Sequence, residues 1–140
     1  MIIDANNLIL GRLASFAAKK VLLGEQVDIV NCENAVVTGE KTYVLAKFNR
    51  EKSKSIQKGP YNPKKADRFV KRVIKRMLPH KTARGREALT KIMCYIGVPD
   101  SLKEQKAETI KNADVSKIPN LRYMKVEKIC KLLGGKWVKK

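Results

Sequence analysis

Along this chain, short apolar runs give way to apolar stripes at helical spacing, and each switch marks an element. Met1 to Asp4 is an apolar run that predicts a first strand, with Asn6 and Asn7 placed to break it and cap the next element. Leu10, Leu13, Ala14, Ala17, Val21 and Leu22 fall near one helical face over Leu10 to Leu23, and Gly24 stops it. Val27 to Asn31 reads as a second, buried strand, so the strand–helix–strand unit implies parallel pairing. Ala35 to Thr38 is a further apolar piece, and Val44, Leu45 and Phe48 suggest a helix from about Lys41 to Arg50.

Ser53 to Asp67 breaks the pattern: Gly59-Pro60 and Pro63 interrupt it and lysines dominate it, which predicts an extended basic loop. Arg68 to Leu78 is the clearest helix. Phe69, Val70, Val73, Ile74, Met77 and Leu78 form its apolar stripe, while Arg68, Lys71, Arg72, Lys75 and Arg76 are expected to face solvent. Pro79 ends it. His80 to Gly85 reads as a second basic turn, Arg86 to Lys91 as a helix and Ile92 to Ile96 as a strand. Asp100 to Asp114 looks like a surface excursion, Met124 to Leu133 like a last helix stopped by Gly134-Gly135, and the final residues like a basic tail. No repeat or boundary divides the chain, so 1–140 reads as one α/β domain, a three-layer fold with a small, mostly parallel sheet, basic loops and a C-terminal helix.

Charge sharpens this picture. The 140 residues carry 31 Lys and Arg against 13 Asp and Glu, a net charge of +18. Between Lys41 and Lys91 the only acidic residues are Glu51, Asp67 and Glu87, so the excess sits in the middle of the chain. A polyanion answers such a charge, and structural RNA is the natural one. Zinc-finger, zipper and homeodomain patterns for DNA and aromatic RNP strands for single-stranded RNA are all missing. The candidate contacts are Lys54, Lys58, Gly59, Pro60, Tyr61, Lys64 and Lys65 in the loop, and Arg68, Lys71, Arg72, Lys75 and Arg76 on the helix. Arg12, His80, Lys81, Arg84 and Arg86 complete the set.

Catalytic chemistry has little to stand on. The first turn holds one glycine where a dinucleotide site needs three, and neither a Walker loop nor a nucleophile elbow occurs. His80 stands alone in a basic turn and is better suited to stacking on a base or bonding a phosphate. Cys32, Cys94 and Cys130, with a single histidine, make no zinc set and read as reduced, packed thiols in a reducing compartment. No cofactor, metal, DNA, small-molecule substrate or membrane is expected as a partner. The Arg68–Leu78 stripe is membrane-like in pattern but more simply covers a sheet.

Several blocks in register then acquire a common meaning. Asp4-Ala5 with Leu10-Gly11-Arg12-Leu13-Ala14-Ser15, Val27 to Asn31, and Ala35 to Gly39 resemble the opening of the ribosomal protein L-thirteen family. Gly59-Pro60-Tyr61 and Met77 to Gly85 are similar to its archaeal and eukaryotic form, and Tyr95 to Pro99 to the block closing the common region, about 2–99. The resemblance implies a three-layer α/β/α fold with a four-stranded parallel sheet. It implies a place in the large ribosomal subunit, in the cytoplasm, touching ribosomal RNA and neighbouring proteins, with a part in early assembly. It supports Arg12, Lys81 and Arg84 as RNA contacts and Gly59-Pro60 as a shaped loop near RNA, and leaves about 100–140 as an extension without a role. An RNA-modifying enzyme or an accessory RNA chaperone is the alternative.

Overall fold

A computed structural model describes residues 1–54, 62–120 and 122–136. The strands are β1 (Ile2–Asp4), β2 (Val27–Val30), β3 (Val36–Thr38), β4 (Ile92–Cys94) and β5 (Tyr123–Lys125). The helices are α1 (Leu10–Leu22), α2 (Lys41–Ser53), α3 (Ala66–Met77), α4 (Ala83–Thr90) and α5 (Val126–Leu132). A parallel sheet runs in the order β1-β2-β4, with Ile3 opposite Ile29 and Ile29 opposite Cys94. β3 leaves it and pairs antiparallel with β5, Val37 opposite Met124.

The mixed α/β class holds, but the expected fourth strand of the main sheet does not. Its place beside β1 is taken by a single parallel bridge, Ile3 to Glu108. Asp4 N–H donates to the Glu108 carbonyl at 3.0 Å and Glu108 N–H to the Ile2 carbonyl at 2.9 Å. The polar mixed-charge stretch after Asp100 is therefore not a free excursion, since backbone pairing needs no apolar side chains. It covers one edge of the sheet, and Ala113 is buried where Ile9 N–H donates to its carbonyl.

Element ends moved where local chemistry outweighed periodicity. α1 stops as expected, with Gly24 at a φ of 103° that only glycine adopts cheaply. Asn6 and Asn7 make a turn rather than a cap: Ile9 takes the N-cap position and offers no side-chain bond. Met124 belongs to β5, so α5 begins at Val126. α2 runs on to Ser53 and α3 starts at Ala66, which shortens the predicted basic loop; 55–61 lie outside the described residues.

The sharpest revision lies between α3 and α4. Leu78, before Pro79, is forced to a ψ of 149°, and α3 ends there. Ala83, Arg84 and Gly85 were expected in a turn, yet they form the first turn of α4. Thr82 caps it: its Oγ1 accepts from Gly85 N–H at 3.2 Å and donates to the Pro79 carbonyl at 2.8 Å. A Cβ on Gly85 would collide with that same Pro79 carbonyl.

The core joins one face of α1 (Leu13, Ala14, Ala17) to α3 (Phe69, Val70, Ile74) and the sheet residues Ile3, Ile29 and Ile92. Val126, Ile129 and Cys130 of α5 close it from the far end. Two stripe members fall short of full burial: Val73 is half-buried and Met77 is 43% exposed.

The two helical glycines separate cleanly. Gly85→Ala should cost several kcal/mol by thermal denaturation, because backbone must move. Gly11→Ala, with no atom near the added carbon, should change stability by less than about 1 kcal/mol and in the stabilising direction. Equal losses at both positions would contradict the close approach at Pro79.

Candidate nucleic-acid interface

The basic residues of α3 span one arc opposite its buried stripe, and the two flanks of that arc meet different surroundings. The apolar stripe buries Ala66, Val70 and Ile74, so at 100° per residue Arg72 and Arg76 lie on one side of it and Lys71 on the other. Arg68 and Lys75 are exposed between them.

Lys71 departs from the expectation that it faces solvent. It is half-buried and its Nζ donates to the Ile92 carbonyl at 2.7 Å. β4 is an edge strand: Val27 N–H donates to the Lys91 carbonyl, and strand alternation turns the Ile92 carbonyl outward. Lys71 covers that open acceptor, a structural use of charge that also blunts the sheet edge.

Arg72 and Arg76 face α2. Together with Lys47 of α2 they rim a groove of about 310 Å³ whose walls include Phe48, Phe69, Val73 and Met77. On the outer side of α2, Tyr43, Lys47, Arg50 and Lys54 form one row, with Tyr43 71% exposed. Past Met77 a shallow groove is lined by Lys19, Leu23 and Arg84. Past Ser15 another holds Arg12, Lys111 and Lys117 between α1 and the 108–113 segment. Because neighbouring grooves share Lys47, Met77 and Ser15 in turn, these cations form a continuous belt over α2, α3 and α1.

The belt gathers only some of the expected contacts: Arg12, Lys54, Arg72, Arg76 and Arg84. Arg12 Nη1 donates to the Asn112 carbonyl at 2.8 Å and Arg84 Nη2 to the Leu22 carbonyl at 3.2 Å, so each guanidinium is partly committed and held in place. Arg84 thereby sits at the carbonyl end of α1, where the helix dipole favours a cation. Lys64, Lys65, Lys81 and Arg86 are exposed elsewhere, and His80 is half-buried with Nδ1 at 3.4 Å from the Leu78 carbonyl. Lys58, Gly59, Pro60 and Tyr61 lie outside the described residues. Tyr43, Lys47 and Arg50 were not among the expected contacts, although their i, i+4, i+7 spacing puts an aromatic and two cations on one helical row.

Glu51 and Glu108 are the carboxylates within the belt's grooves, and two others, Asp4 and Glu33, serve the fold. Asp4 Oδ1 accepts from Asn6 N–H and from Asn31 Nδ2, fixing the turns after β1 and β2. Buried Glu33 accepts from Gly97 N–H at 3.1 Å. Among the described residues no three His, Cys, Asp or Glu side chains are grouped to hold a metal, and no helix is long and apolar enough to cross a membrane. Cys32, Cys94 and Cys130 are free thiols. Hydrogen bonding with Cys94 and burial raise the Cys32 thiol above its ordinary value. Burial, aided by the charge of Asp67, pushes Cys130 up to about 12.

The sequence model of the family described as Ribosomal protein L13 matches residues 1–101. The chain belongs to that family. It is a family of ribosomal proteins, not of enzymes. Its archaeal relatives include the large ribosomal subunit protein uL13 of Picrophilus torridus, 46% identical over 94% of this chain and 95% of the relative. The protein of that name from Methanosarcina barkeri is 42% identical over 97% of this chain and 99% of the relative. That from Methanopyrus kandleri is 40% identical over 95% of this chain and 86% of the relative. The similarity thus continues through the 100–136 region that packs on β1 and β3 of this L13-family chain.

The two flanks of α3 should respond oppositely. Lys71→Met should lower stability by about 1–2 kcal/mol in urea titration, the loss of a charge-assisted bond. Arg72→Gln with Arg76→Gln should leave the unfolding free energy from the same titration within about 0.5 kcal/mol of wild type. In a competition for incorporation into large subunits, only the Arg pair should lose ground while still folded. A folded Arg pair variant that competes as well as wild type would reduce this flank to solvated surface.

Cys130 adds a pH signature. Below its ordinary value of 9.0 the thiol is protonated in both states and contributes no slope. Between 9.0 and about 12 the unfolded chain gives up a proton that the folded chain keeps. Stability must then fall as pH rises, by up to about 1.4 kcal/mol per pH unit for one thiol. Cys130→Ala should flatten the fall in denaturation midpoint above pH 9.0; parallel curves for the two proteins would refute the burial of this thiol.

Proposed function

We propose that this chain is a structural constituent of the large ribosomal subunit that contacts ribosomal RNA and neighbouring proteins and contributes to early subunit assembly and translation. The observation that carries the reading is the belt: cations from α1, α2, α3 and the 108–117 segment connected through shared grooves, in a chain of net charge +18. Such a surface follows the irregular path of a folded RNA backbone, with arginines able to grip phosphates in two-pronged fashion. The names of the relatives supply the large subunit as the setting.

Within this reading the chain acts as one domain in the cytoplasm, with a family core of about 2–99 and an extension of about 100–140 whose described residues pack back on it. Its three-layer α/β/α arrangement is part of the same proposal. Arg12, Lys54, Arg72, Arg76 and Arg84 are belt contacts. Lys64, Lys65, Arg68, Lys75, His80, Lys81 and Arg86 reach RNA outside it, and Lys58, Gly59, Pro60 and Tyr61 are RNA contacts as well. Lys71 serves the fold first. Exposed Leu23, at 69% exposure, suits a protein neighbour.

Fractionation tests the proposal. The chain should sediment with the large subunit at near-stoichiometric amount and stay there through a high-salt wash. An accessory chaperone would be sub-stoichiometric and wash off, and that outcome would sink the structural role.

A further inference from the structure

The groove between α2 and α3 has features that a phosphate-following surface does not need. Its walls are apolar: Phe48 from α2, and Phe69, Val73 and Met77 from α3. The Phe48 and Phe69 rings meet at 5.5 Å between centroids, tilted by 58°. Phe69 is buried, whereas Phe48 is only partly so and leaves ring surface at the groove. At about 310 Å³ the space lies at the small end of ligand clefts, room for one flat ring system rather than an element of structure.

The rim is basic. Lys47, Arg72 and Arg76 border the groove, and none of them forms an ion pair among the described residues. Glu51, hydrogen-bonded to Asn62, stands at the remaining edge and supplies an acceptor. Moreover Val44 is the one residue of α2 buried outright, while Leu45 and Phe48 pack half-buried against the core, so Phe48 keeps ring surface on the side that faces α3.

Charge complementarity selects the occupant. An apolar side chain from a neighbouring protein would match the walls but leave three cations unanswered. A nucleotide answers both: its ring lies against aromatic and aliphatic carbon while its phosphates meet the rim. A paired base in a helix cannot enter, because its faces are stacked and its edge is occupied, so the nucleotide must come from a bulge, loop or end.

We propose that the α2–α3 groove holds one unstacked nucleobase of the ribosomal RNA, its ring against Phe48 and Val73, a base N–H on Glu51, and the flanking phosphates on Lys47, Arg72 and Arg76. The proposal rests on the RNA-contacting role above and narrows it to a single nucleotide.

Ultraviolet cross-linking of assembled large subunits, with the adducts mapped by mass spectrometry, tests it. The expected result is a nucleotide adduct on Phe48 or on the peptide holding Phe69 and Val73, always from one RNA position. Val73→Phe fills the slot and should cut that adduct about tenfold or more, the weight of one lost base–aromatic stack. The same RNA position should gain reactivity to base-directed chemical probes, while other adducts of the chain persist. If Val73→Phe fails to incorporate, Met77→Trp blocks the groove from an exposed position and must give the same local change. Adducts on Lys65, Arg68 or Arg86 peptides with none in the groove would overturn the base site and leave the RNA role standing. A neighbouring protein's peptide cross-linked in the groove would do the same. Absence of any RNA adduct on the chain would overturn both.

Discussion

Everything on the surface of this protein depends on how α1 and α3 pack together over the parallel sheet. It is the most extensive helix–helix contact in the molecule. Alanines on α1, at positions 14, 17 and 18, let α3 approach closely, and Phe69, Val70 and Ile74 fill the space with β2 and β4 behind. Once that stripe is committed, the flanks of α3 have no freedom. Arg72 and Arg76 must look toward α2, and Lys71 must look toward the edge of β4.

Both open edges of the three-stranded sheet are met by something other than a further strand, one by a side chain and one by irregular backbone. Lys71 caps the outward carbonyl of β4, and the backbone at Glu108 pairs with β1 on the other side. An uncovered parallel edge invites association with other chains. Here the cover on one side is a cation drawn from the basic helix, and on the other a stretch with almost no strand signal. The region after residue 100 is thus part of the fold: it seals β1, and through β5 and α5 it holds β3 and the end of α3.

The charge distribution obeys the same logic. Carboxylates are few, and two of them, Asp4 and Glu33, accept from backbone N–H groups in turns. Exposed pairs such as Lys103 with Asp100 contribute little in water. The remainder is a surface of cations held apart by rigid helices and fixed in places by bonds to helix-end carbonyls. Self-repulsion makes such a surface costly in isolation, a cost that the proposed RNA partner would offset.

How much of this was legible in the residues depends on which forces act locally. The apolar stripes of α1 and α3, the buried strands β1 and β2, and the helix stops at Gly24 and Pro79 are set by neighbours in sequence, and periodicity located them. The family was legible too, because blocks such as Met77 to Gly85 keep a fixed order. Non-local pairing was not. Nothing in Val36 to Thr38 says that it leaves the main sheet for Tyr123 to Lys125. Nothing in Glu108 says that its backbone replaces a fourth strand, because hydrogen bonding by the main chain is blind to side-chain type. The same limit governs the candidate site. Sequence determined how many cations there are and that most lie between Lys41 and Lys91. Tertiary structure decided that Lys71 serves the sheet, that Arg72 and Arg76 join Lys47 around an apolar groove, and that Arg12 meets Lys111 and Lys117, because only packing brings residues so far apart in the chain onto one surface.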